Sequence, residues 1–131
     1  MGGAVMTEPT AMDELAGQIQ VALESADLDA YCELLDPDVC WGAPDTLEWG
    51  CHNRREVLDW YRRGRARGVR AHVVETAVVR DKILVGLMVH GPESSDSSEA
   101  SNRWQVLTVV DGRVKDIRGF DDRDDAVSRM R

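Results

Sequence analysis

Cysteine is scarce in this chain of 131 residues: three copies, Cys32, Cys40 and Cys51. An odd, sparse set argues against a disulfide scaffold. There is no C-x-x-C and no H-x-x-x-H spacing, so neither a metal nor a cofactor is expected. Positive charge is the minority sign, 16 Lys+Arg against 24 Asp+Glu, for a formal net charge of -8. That balance sets aside proteins that wrap nucleic acid or lie on anionic membranes. No apolar run is long enough to span a bilayer, and the Met1–Thr10 stretch carries no basic residue ahead of an apolar segment. The cytoplasm is therefore the expected compartment. Aromatic residues are few as well: Trp41, Trp49, Trp60, Trp104, Tyr31, Tyr61 and Phe120. What is present is an ordinary globular mixture, 43% apolar and 31% charged, on a length that suits one domain.

Residues 1–9 read as a flexible tail and 10–131 as a single domain. Leu15, Ile19, Ala22 and Leu23 recur at helical spacing and predict a helix from Thr10 to about Ala26. Asp27 suits the N-cap of a second helix, which Asp36-Pro37 ends because a residue before proline leaves the α region. Val39-Cys40-Trp41 reads as a short strand, and Gly42–Gly50 as a loop. Asn53 with Glu56 three residues on is close to a capping box for a third helix. Four strands follow: Val69–Val79, Ile83–His90, Arg103–Val110 and Val114–Phe120. The Ser-rich stretch Gly91–Asn102 reads as a mobile hairpin loop, and Asp111-Gly112 as a tight hairpin turn. A short helix closes the chain. Helices at the front and an antiparallel meander behind give an α+β class.

The order of these segments carries a resemblance. Ala22–Leu35 running into Asp36-Pro37-Asp38, Gly50 ahead of the Arg55–Tyr61 helix, Trp104–Val110 before Asp111-Gly112, and the ending Gly119-Phe120-Asp121-Asp122 with Ala126 carry it. Together they resemble the nuclear-transport-factor-2-like superfamily in its SnoaL-like, polyketide-cyclase-like branch, over nearly all of Thr10 to Met130. The resemblance implies a cystatin-like roll, in which a curved antiparallel sheet forms a cone around the N-terminal helices and leaves a pocket open at one end. It also implies homodimers formed through the outer face of the sheet. It does not imply one activity, since fold does not fix function. In the ketosteroid-isomerase branch a carboxylate base precedes a proline after the first strand and a tyrosine donor sits on the first helix. The matching positions hold Ala43, before Pro44, and Ile19, so that proton-transfer apparatus is missing here.

The remaining candidates come from the residues themselves. Trp41, Trp49, Tyr31, Trp104 and Ile19 are candidate pocket lining, because aromatic walls suit a flat or apolar ligand. Asp45 in the Gly42–Gly50 loop, His72 on the first meander strand and Arg118 on the last are candidate catalytic groups. His72 shares a strand face with Arg70, Val74 and Thr76 if alternation is unbroken, and it looks into the pocket only if that face is concave. The arginines from Arg54 to Arg70 read as a solvated helix face, with no nucleic-acid partner expected. Three functions follow. The leading one is a homodimeric domain binding a small apolar or aromatic ligand. The alternatives are a small cyclase, isomerase or hydratase, and a non-catalytic dimerisation module.

Overall fold

The computed structural model describes residues 11–91 and 101–130, with only the backbone of Leu47–Trp49. The tail, Thr10 and most of the Ser-rich stretch fall outside those residues. Helix α1 (Ala11–Glu24) buries Leu15, Ile19 and Ala22, the stripe that its spacing predicts, with Ala16 beside them. Asp27 caps α2 (Leu28–Leu34), its carboxylate accepting the Ala30 N–H at 3.0 Å. The cap of α3 (Arg54–Ala66) is reciprocal. Asn53 accepts the Glu56 N–H at 2.9 Å, and Glu56 reaches back to the His52 N–H at 2.7 Å. Asp122 caps α4 (Arg123–Arg129), its carboxylate accepting the Asp125 N–H at 3.1 Å. Among the described residues no helix is long and apolar enough to cross a membrane.

Six strands form one curved, unclosed sheet: β1 (Leu35–Ala43), β2 (Thr46–Cys51), β3 (Arg70–Val79), β4 (Lys82–His90), β5 (Ser101–Val110) and β6 (Arg113–Phe120). Their order is β2-β1-β6-β5-β4-β3. The expected loop after β1 is in fact a hairpin, because Thr46–Cys51 pairs back on β1. Gly50 belongs to that pairing: a Cβ there would lie 1.9 Å from the Trp41 carbonyl oxygen, so only glycine lets the backbones approach. β1 is also longer than expected and runs through Pro37. Proline lacks a ladder donor, and the β1–β6 register shifts between Leu35 and Cys40, on either side of it. Four of the five strand pairings are antiparallel, as the sequence predicts. The fifth, β1 with β6, is parallel and joins the two ends of the chain. Asp111 and Gly112 both take positive φ, 54° and 81°, as the hairpin turn requires.

Each face of the sheet has its own core. On the concave face, Ile83, Val85 and Leu87 of β4, Leu107 and Val109 of β5, and Ile117 of β6 pack against Ile19, Tyr31 and Val57 of the helices. On the convex face, α4 lays Ala126 and Met130 over Leu84, Val106 and Phe120, with Trp104 at the margin. The alternation of the strands assigns every other residue to one core or the other.

Candidate functional site

Three helix and strand segments meet inside the cone. Tyr31 from α2, Tyr61 from α3 and Gln105 from β5 each bury a polar oxygen with no hydrogen-bond partner among the described residues. The two phenol rings meet edge to face with centroids 5.5 Å apart. Trp41 from β1 stacks on Tyr61 at 5.2 Å and meets Trp60 of α3 edge-on at 6.2 Å. Gly119, beside Gln105 in the β5–β6 register, leaves its place open toward the Trp41 indole nitrogen, 3.9 Å from where a Cβ would stand. Trp60 is 56% exposed, so the cluster runs from solvent at Trp60 to full burial at Tyr31.

Burial pushes the Tyr31 phenol well above its ordinary value, and the neighbouring Tyr61 pushes it the same way. Burial also raises Tyr61, while the Gln105 and Tyr31 side chains, close enough to interact with its phenolate, pull it back. Nearness is thus clear although none of the three oxygens completes a hydrogen bond. An unpaired buried oxygen costs about 1–3 kcal/mol, which gives such a group a function or a hidden partner to explain. Both phenols stay neutral and serve as donors or acceptors, and the Gln105 carbonyl oxygen is an acceptor. The arrangement can grip a neutral polar group. Among the described residues no group of three or more His, Cys, Asp or Glu is placed to hold a metal ion.

The structure brings some of the expected residues together and separates others. Tyr31, Trp41 and Ile19 share the concave core. Trp104 stands on the opposite face, with the Arg123 guanidinium 5.8 Å above its ring, and its chain neighbour Gln105 takes the inward place. Trp49 lies on β2, and its side chain is outside the described residues. The expected hollow is largely filled, because Ile19, Tyr31, Leu35 and Ile117 are fully buried within it. Two surface depressions occur elsewhere: a groove of about 510 Å³ between Pro44 and α4, and one of about 690 Å³ along the outer sides of α1 and α2.

The candidate catalytic groups do not meet. Asp45 is almost wholly exposed, 3.7 Å from Arg129 in the groove by α4. Arg118 lies between the Asp116 carboxylate and the Ala43 carbonyl oxygen, 3.0 Å from each, on the face of β6 that carries Phe120. His72 is exposed beside His90, 3.9 Å from Glu24, across the strand from core-facing Ala71 and Val73. A bulge at Val74 breaks the alternation, so Thr76 no longer shares the His72 face. Sequence reasoning missed Tyr61 and Gln105 as site residues. A usable signal was present: Gln105 heads the inward series Gln105, Leu107, Val109, a lone polar residue on an apolar face.

Similarity to known proteins follows this architecture. A candidate polyketide cyclase from Sinorhizobium meliloti shares 22% identity at a TM-score of 0.64, over 86% of this chain and 100% of that one. A candidate ketosteroid isomerase from Kribbella flavida gives 20% and 0.68, over 84% and 76%. A cystatin-fold protein from Novosphingobium aromaticivorans gives 16% and 0.68, over 86% and 99%. At these identities the likeness is one of fold. No curated protein matches the sequence significantly. The family model of the SnoaL-like domain matches residues 17–117, and the chain therefore belongs to the SnoaL-like domain family.

Proposed function

We propose that this domain binds a small, largely apolar ligand at the Trp60 end of the cone, where the packed side chains part to admit it, with Trp41 as its wall and Tyr31, Tyr61 and Gln105 gripping one polar group. The observation that carries this reading is three buried oxygens, those of Tyr31, Tyr61 and Gln105, that interact but reach no well-formed hydrogen bond, beside the Trp41 indole that stacks on Tyr61. A ligand offering both an acceptor and a donor would satisfy the phenols and the Gln105 oxygen together. Access is from the Trp60 side, where the cluster reaches solvent. The acid–base alternative draws no support from this geometry, because Asp45, His72 and Arg118 lie outside the cone and apart from one another. Homodimerisation belongs to the same reading. Exposed Val74 stands near His72 and its register partner Met88, on sheet that α4 does not cover.

Calorimetric titration with 2-naphthol and related hydroxy-aromatics tests the ligand site. Binding is expected, weakened about tenfold in Gln105→Leu for the loss of one buried hydrogen bond. Absence of heat with every compound, or equal affinity in Gln105→Leu and in the Tyr31→Phe/Tyr61→Phe double variant, would refute it. So would a crystal structure with one ordered water bridging all three oxygens and no displacement by ligand.

A further inference from the structure

The rim of the cone is uneven in charge. Arg63 follows Trp60 by three residues on α3, so the two side chains share a stretch of helix surface. Three of the other four arginines of that helix are engaged. Arg54 donates to the Leu35 carbonyl at 3.3 Å, Arg62 pairs with Asp59 at 3.2 Å, and Arg65 donates to the Ala26 carbonyl at 2.9 Å. Arg63, like Arg55 in the first turn, has no such partner among the described residues. Its position relative to the site has a second witness in Cys51, which stands opposite Trp41 in the β1–β2 register. Burial and the Glu56 carboxylate push the Cys51 thiol up, and Arg63 opposes them. Glu56, the other charge that acts on the Cys51 thiol, is committed to the start of α3 through the His52 amide at 2.7 Å. A molecule of net charge -8 repels anions at long range. An unpaired guanidinium beside an exposed indole is a local exception to that field, and it can meet a carboxylate with two parallel donors.

We infer that Arg63 is a specificity-determining residue: it selects ligands whose aromatic body lies against Trp60 and Trp41 and whose outward end carries a carboxylate. This rests on the reading of the cone mouth as a ligand site. The buried oxygens then take the neutral end of the ligand and the rim takes the charged end, which fixes the direction in which the molecule enters. The contact is partly exposed, so its effect is modest and weakens with salt.

Calorimetry of the full chain with 1-naphthylacetate and with its uncharged amide, 1-naphthylacetamide, separates the two levels of the reading. The acid is expected to bind about fivefold more tightly than the amide at low salt. The gap closes at high salt and in Arg63→Gln, returns in part in Arg63→Lys, and persists in Arg67→Gln. The amide binds the wild type and Arg63→Gln alike. Equal affinity of acid and amide in the wild type overturns the role of Arg63 and leaves the ligand site standing. A gap that survives in Arg63→Gln does the same. Failure of both probes to bind overturns the site itself, and the inference with it.

Discussion

Single atoms decide much of this molecule. A Cβ on Gly86 would lie 2.3 Å from the Trp104 ring, on the face that α4 covers. Gly86→Ala is therefore expected to cost about 1–3 kcal/mol in denaturant unfolding, and a Trp104→Leu background should relieve part of that loss. Tyr31 presents the opposite case. Its ring fills the core but its hydroxyl has no partner. Tyr31→Phe should raise stability by up to about 1 kcal/mol while weakening ligand binding. A loss of stability would show that the hydroxyl is satisfied after all. The chain has only two tyrosines, and both phenols are raised by burial. Above the ordinary phenol value the unfolded chain loses protons that the folded chain keeps, so stability falls as pH rises past about 10. Phenolate absorbance should thus appear only together with loss of structure. A phenolate signal near pH 10 on an intact fold would contradict the burial of both hydroxyls.

At the scale of the element, α4 is held by a two-pronged clasp. Arg123 donates to both oxygens of Glu75 on β3, at 2.9 and 2.7 Å, and its guanidinium also lies over Trp104. The clasp pulls the Glu75 carboxyl below its usual range. Its contribution is present above the ordinary carboxylate value and is lost as pH falls through the depressed one. Protection against hydrogen exchange across Arg123–Arg129, relative to the intrinsic rate at each pH, should fall in Glu75→Gln at neutral pH, and in the wild type only on acidification. Unchanged exchange in the variant would assign α4 docking to the apolar contacts alone. Capping offers a second check: Asn53→Ala should cost about 0.5–2 kcal/mol. The Asp27 and Asn53 caps were legible in the sequence because each depends on residues three apart. The β1–β2 hairpin was not, because Pro44, Asp45, Glu48 and Gly50 carry loop chemistry. Only the approach of Gly50 to the Trp41 backbone shows that the glycine serves a strand.

For the whole molecule, the parallel contact of β1 with β6 closes the sheet's middle from residues about as far apart as Gly42 and Arg118. The face left beside α4 carries Val74, half exposed, and the homodimer proposed above would form there. Sedimentation should give a species of about twice 14.6 kDa, and Val74→Asp should return it to one chain. A monomer at micromolar concentration in the wild type would remove the dimer from the reading.

Sequence alone determined the helices, the Asp27 and Asn53 caps, the meander with its Asp111-Gly112 turn, the α+β class and the family resemblance. Periodicity and turn chemistry act within a few residues, so a single strand of text records them. The meeting of Tyr31, Tyr61 and Gln105 was settled by tertiary structure. So was the placing of Trp104 and Arg118 on the outer face, and the separation of Asp45 from His72. The physical reason is the two-residue period of a strand. One bulge, such as that at Val74, exchanges inside for outside, and which face curves inward depends on contacts between residues far apart in the chain.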